Sequence, residues 1–90
     1  MLPKNREPMH PGRLLAKVLQ DENMTQDVAA KKLGVSLGTI NTLVNERRGM
    51  TAELAVRLGK AFEASPQMWM GMQANYDLWR AERALDSHAG

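Results

Sequence analysis

The side chains best suited to chemistry in this chain form a small polar set between Leu37 and Asn45, not a cluster of acids, histidines or thiols. Asn41 and Asn45 carry carboxamides, which can pair bidentately with adenine. Thr42 can donate, accept or touch a thymine methyl, and Leu37 offers only apolar contact. Gly38 has no side chain and lets a backbone come close. Arg47 and Arg48 follow directly as a doubly basic loop before Gly49. Catalysis has far fewer possible members. The two histidines, His10 and His88, lie at opposite ends of the chain, cysteine is absent and no glycine-rich phosphate loop occurs, so a nucleophilic triad or a dense metal site lacks the residues to build it. Asp21 and Glu22 read as a solvated helix end. No enzyme activity, metal or cofactor is expected.

The spacing says what must present the polar set. Ile40, Leu43 and Val44 follow the i, i+3, i+4 pattern of a buried stripe, which leaves Leu37, Gly38, Asn41, Thr42 and Asn45 on the opposite side of one helix. Ser36 is placed to cap that helix, and Gly34 to stop the one before it, since glycine enters the left-handed region without a Cβ clash. The earlier helix begins at a Thr25 cap and sets Val28, Ala29 and Leu33 on a common face. Ala29 is small where two backbones would approach. The stretch from Thr25 to Asn45 therefore describes a helix-turn-helix, a device that lays its second helix in the major groove of DNA. Helix pairs with glycine turns also occur in domains that bind nothing. The conjunction of Thr25-Gln26, Ala29, Gly34, Ser36 and the Ile40/Leu43 stripe favours DNA.

The remaining sequence supplies a helical frame. Met1 to Met9 reads as a flexible N-terminal arm, residues 10–86 as a single domain, and Ser87 to Gly90 as a frayed tail. His10-Pro11-Gly12 opens a first helix, because proline suits the first helical position, and Leu14, Leu15, Val18 and Leu19 form its inner face. Thr51 caps a fourth helix lined by Leu54, Ala55, Leu58, Ala61 and Phe62, and Ser65-Pro66 starts a fifth. On that fifth helix Trp69, Met72, Tyr76 and Trp79 recur at steps of three and four. Trp69, near the capped start, is expected in the core. Tyr76 and Trp79 lie farther along and are candidates for a dimer or partner surface. The fold class expected is all-α, a five-helix bundle.

Ninety residues make one small domain, which a partner would help to stabilise. The formal charge of +2 is too small to identify a nucleic-acid binder, so its distribution matters. Bases outnumber acids over residues 1–17 (Lys4, Arg6, Arg13 and Lys17 against Glu7) and over residues 25–49 around the motif (Lys31, Lys32, Arg47 and Arg48 against Asp27 and Glu46). Elsewhere acids lead. The absence of cysteine suits a reducing cytoplasm, and no apolar run is long enough for a signal core or membrane span. A cytoplasmic location is expected, at the nucleoid when bound to DNA, with no membrane partner.

MHPGRLL at Met9 to Leu15, LGVSLGTINTLVNERRG at Leu33 to Gly49 and ELAVRLGKAFEASPQMWMGMQANYDLW at Glu53 to Trp79 resemble HigA-type antitoxins, the antidote proteins of bacterial addiction modules. The resemblance runs roughly from Met9 to Arg80. The helix-turn-helix alone points to the broad phage-repressor-like superfamily, and the HPG start and the SPQMWMGMQANYDLW helix narrow it. It implies a homodimer that binds a palindromic operator in duplex DNA and represses its own operon. It also implies a small basic toxin, typically a messenger RNA endonuclease, neutralised by direct binding. By position, Gln26 would clamp a phosphate at a helix N-terminus. Ser36 and Thr39 would lie at the groove edge, Leu37, Gly38, Asn41 and Thr42 would face bases, and Asn45, Arg47 and Arg48 would grip the backbone. Arg13 is basic where relatives often carry an acid. With Leu37 and Gly38 poor hydrogen bonders, shape-dependent recognition would carry more of the specificity. The alternative is a stand-alone repressor, or an adaptor whose motif meets protein; the neighbouring gene distinguishes an antitoxin from an orphan regulator.

Overall fold

The computed structural model describes residues 6–89, the last two as backbone only, and residues 1–5 of the N-terminal arm and Gly90 lie outside it. Five helices follow in order: α1 (Pro11–Asp21), α2 (Gln26–Leu33), α3 (Leu37–Val44), α4 (Ala52–Ala61) and α5 (Pro66–Ala89). Each start is chemically marked. The buried His10 Nδ1 accepts from the Gly12 N–H at 2.9 Å. The hydroxyls of Thr25, Ser36, Thr51 and Ser65 accept from the N–H three residues on at 3.0–3.2 Å. These oxygens and the ring nitrogen satisfy donors that a helix start leaves orphaned.

Three ends share a second device. After α1 the Met24 N–H returns to the Leu19 carbonyl, after α2 Val35 returns to Ala30, and after α3 Arg47 returns to Thr42, at 2.8–3.0 Å. Such reversed bonds need one residue in the left-handed region. Gly34 takes it with φ 74°, Asn23 with φ 52° and, unexpectedly, Glu46 with φ 59°. Arg57 adds a brace at the second of these ends: its guanidinium donates to the Leu33 carbonyl at 2.9 Å, where a cation also suits the helix dipole.

Leu15, Leu19, Ala29, Ala30, Leu33, Ile40, Leu43, Met50, Leu54, Ala55, Leu58 and Trp69 form one core. Leu14, Val44, Ala61 and Phe62 pack at its margin, and Val18 is half-buried. Val28 departs from expectation: it is 50% exposed, and Ala30 takes its place inside. At about 100° per residue Val28 lies roughly 140° from Leu33 on the helix wheel, so the two cannot share a face. The buried face of α2 is instead Ala29, Ala30 and Leu33, small where α3 and α4 approach.

Gly12 allows a close backbone approach. A Cβ there would overlap the backbone carbonyl of Leu43, so glycine lets the first turn of α1 lie against the last turn of α3. On the other side, α5 packs on α4 and reaches α1 through the Tyr76 ring, which meets the His10 ring edge-on at 4.8 Å. With 24 residues, α5 is about 36 Å long in a molecule 23 Å across its short axes, so its C-terminal half outruns the bundle. It is continuous through Ala89, which takes the segment from Ser87 into the helix. No helix among the described residues is long and apolar enough to cross a membrane.

Candidate nucleic-acid interface

Two short helices of eight residues, α2 and α3, build one polar surface. On α3 the buried side is Ile40 and Leu43, fully enclosed. Leu37, Gly38, Asn41 and Asn45 are exposed, and Thr42 is half-buried at the edge of the same side. Leu37 is 49% exposed, a large apolar side chain held out beside polar neighbours. A Cβ on Gly38 would meet nothing nearer than the Ser36 hydroxyl at 3.8 Å. The fold itself does not require glycine there, and the bare backbone is a feature of the outer surface.

Several of these groups hold one another. The Asn41 amide donates to Gln26 Oε1 at 3.3 Å, joining the first residue of α2 to the middle of α3. This bond orients both carboxamides while leaving the Gln26 amide as donor and Asn41 Oδ1 as acceptor toward solvent. Thr42 Oγ1 donates to the carbonyls of Gly38 and Thr39, at 2.8 and 3.1 Å. Its one proton is thus engaged, and the methyl and lone pairs are what it can show outward. Asn45 closes α3 and donates to the Asn41 carbonyl at 2.9 Å. Ser36 and Thr39 serve mainly the cap: the two hydroxyls lie 2.8 Å apart, and Ser36 already accepts the Thr39 N–H.

Arg47 and Arg48 continue the surface past α3. Both are exposed and neither enters an ion pair among the described residues. The reversed bond at Glu46 turns them back toward the end of the helix instead of letting the chain run on. Glu46 places one acid between Asn45 and this pair.

The sequence-derived residues fall into two groups in space. Gln26, Ser36, Leu37, Gly38, Thr39, Asn41, Thr42, Asn45, Arg47 and Arg48 come together on or beside the α2–α3 surface. Tyr76 and Trp79 belong to α5, where both are half-buried: Tyr76 meets His10 edge-on, the Trp79 ring centroid lies 6.1 Å from that of Tyr76, and the Arg83 guanidinium covers the Trp79 ring at 5.0 Å. Much of their aromatic area is thus engaged within the chain. Sequence reasoning missed Gln73, which is buried and meets the loop after Arg48 (Met50 N–H to Gln73 Oε1, 2.6 Å). A glutamine carries no apolar periodicity to reveal it. Among the described residues no three metal-ligating side chains gather.

Comparison with known proteins agrees with the geometry. A helix-turn-helix family model matches residues 15–69. Virulence-associated protein I of Dichelobacter nodosus is 42% identical over 86 residues, covering 93% of this chain and 80% of that protein. A crystal structure of a candidate antidote protein of a plasmid maintenance system from Nostoc punctiforme superposes with a TM-score of 0.91 at 36% identity, covering 93% of this chain and 92% of that one. The Pseudomonas aeruginosa antitoxin HigA, solved with the higBA promoter, gives a TM-score of 0.86 at 37% identity, with 92% and 91% covered.

Proposed function

The chain belongs to the helix-turn-helix family, among relatives of the HigA antitoxin type, and from that premise we propose that it is a DNA-binding antitoxin that represses its own operon. Direct binding of a small basic toxin, a messenger RNA endonuclease, is the second half of the proposed activity. The observation that carries the DNA reading is the surface of α3. A helix buried through Ile40 and Leu43 presents Leu37, Gly38, Asn41 and Asn45 outward, between a Gln26 fixed by Asn41 and an exposed Arg47-Arg48 pair. Laid in a major groove, that surface offers carboxamides to base edges and cations to phosphates on the flank. The likeness to an antitoxin solved with promoter DNA supports the same use.

A homodimer on an inverted repeat is the expected assembly. Gly71, Ala74, Leu78, Ala81 and Leu85 recur on α5 at alternating steps of three and four, all exposed, a stripe with small residues where a second helix could approach. Half-sites should then lie about one helical turn apart, or a multiple of it. DNA in the bacterial cytoplasm is where the protein would act.

Footprinting on the region upstream of the gene tests the operator: a protected inverted repeat is expected, and a single isolated half-site with a monomer at micromolar concentration refutes the dimer. For the toxin, the neighbouring reading frame should encode a small basic protein that arrests growth alone and is silenced when both are expressed. Lack of such a frame, with operator binding intact, favours the stand-alone repressor.

A further inference from the structure

We propose that Gln73 of α5 is the positioning residue for the Arg47-Arg48 loop, so that phosphate binding on the DNA face depends on a side chain from a different helix, distant in sequence. The proposal rests on the DNA reading above and adds to it the element that sets the loop.

The loop between α3 and α4 has two anchors. Its first half is fixed by α3 itself, through the Glu46 N–H to Leu43 and the Arg47 N–H to Thr42. Its second half runs into the Thr51 cap of α4, with the Met50 side chain in the core. There the Met50 N–H donates to Gln73 Oε1 at 2.6 Å, a buried bond across 23 residues of sequence. Gln73 is only 9% exposed and Met50 only 6%, so no water shell replaces that acceptor, and an unmet buried N–H is costly. The Gln73 amide nitrogen in turn donates to Asp77 Oδ1 at 2.9 Å, which decides which end of the carboxamide faces Met50. Gly49 completes the seat. A Cβ there would lie 3.3 Å from three atoms of the Gln73 carboxamide, so the amide group lies close against the glycine backbone.

Arg47 and Arg48 therefore sit between a fixed helix end and a fixed glycine, both exposed on a backbone held at either side. Without Gln73 the buried Met50 N–H loses its acceptor and the Gly49 backbone its packing partner, and ordering the loosened loop again on DNA would subtract from the binding free energy.

The test uses the full chain and duplex DNA from the region upstream of its gene, titrated over a salt series. Gln73→Met keeps the length of the side chain and removes both hydrogen bonds. It should weaken binding about tenfold and lower the salt slope by about one to two units, the signature of fewer neutralised phosphates. In an Arg47→Ala/Arg48→Ala background the same change should have less than about twofold effect, since coupled groups are not additive. Gln73→Glu combined with Asp77→Asn reverses donor and acceptor along the outer bond and should restore the slope. An equal weakening in both backgrounds, or a slope that Gln73→Met leaves unchanged, overturns the proposal. If Gln73→Met does not fold, Asp77→Ala, at an exposed site, gives the same decision: a lowered slope supports the proposal and an unchanged one refutes it. Failure of the unmodified protein to bind this DNA removes the DNA reading and the proposal together, whereas binding without the Gln73 dependence removes the proposal alone.

Discussion

Gly12 and Gly71 should respond to one substitution in opposite ways. Both lie in helices, where alanine is favoured over glycine by about 0.8–1.0 kcal/mol in an interior position. At Gly71 a Cβ would have no neighbour within 4 Å, so Gly71→Ala should gain about that amount. At Gly12 the new atom would overlap the Leu43 carbonyl. A backbone carbonyl cannot step aside by changing rotamer, so α1 and α3 must separate. Overpacking of this kind costs about 1–3 kcal/mol, and the steric conflict with backbone places it at the upper end. Set against the propensity gain, Gly12→Ala should lose about 2 kcal/mol. For a domain of this size 1 kcal/mol moves Tm by about 4–8 °C, so Gly71→Ala should melt about 4–8 °C higher and Gly12→Ala about 8–16 °C lower. Thermal unfolding followed by circular dichroism at matched concentration measures both. A Gly12→Ala protein melting with or above the parent would show that the α1–α3 approach is not the constraint described, and the fixed placement of the last turn of α3 would go with it.

Arg47→Ala with Arg48→Ala should weaken binding to all DNA sequences alike and lower the salt slope by about one unit per phosphate no longer neutralised; an unchanged slope in salt titrations excludes both side chains from the phosphate backbone. Ile40→Ala should cost about 2–5 kcal/mol of stability, visible in melting curves, and impair binding through loss of the fold. Thr42→Ala should leave the melt almost unchanged while reducing discrimination at one base position by about 1–3 kcal/mol, seen against a panel of single-base operator variants; the reverse pattern for this pair would mean the faces of α3 are exchanged. Glu46→Gly should raise stability by about 0.5–1 kcal/mol, since glycine occupies the left-handed region without strain, and tighten DNA binding by removing an acid beside Arg47. A lowered Tm for that variant would contradict the strain argument.

The legible parts of this fold are those decided locally. Thr25, Ser36, Thr51 and Ser65 cap the N–H three residues on, Gly34 stops a helix by its own conformational freedom, and Ile40 and Leu43 follow from helical period alone. Each needs only a few neighbouring residues to be read. Val28 misleads for a reason also local: its apolar character argues for the inner face of α2, while its angle to Leu33 on the helix wheel excludes it and leaves the smaller Ala30 inside. Other features depend on chain segments meeting from afar. Gly12 is costly in a first helical turn, which signals a close approach without saying to what, and its partner Leu43 lies on another helix. Gln73 gives no signal of its own, since burial of an amide follows from pairing with a loop that the sequence does not place. Glu46 is the converse: a left-handed position is foreseeable at the end of α3, but an acid rather than glycine or asparagine occupies it.

The length of α5 has a consequence for how the molecule opens. Trp69 and Gln73, in its first half, are held by the core and by the loop before α4, whereas every residue from Arg80 to Ser87 is exposed and draws on little beyond the bonds of its own helix. A solitary segment of that length is marginal in water. Amide hydrogen exchange along this one helix should therefore be graded: protons near Trp69 exchange only when the whole domain unfolds, while those past Arg80 exchange by fraying, turn by turn. Any partner that covers Leu78 and Leu85 would convert the loose end into a stable one, and the helix content gained would be part of the free energy of association.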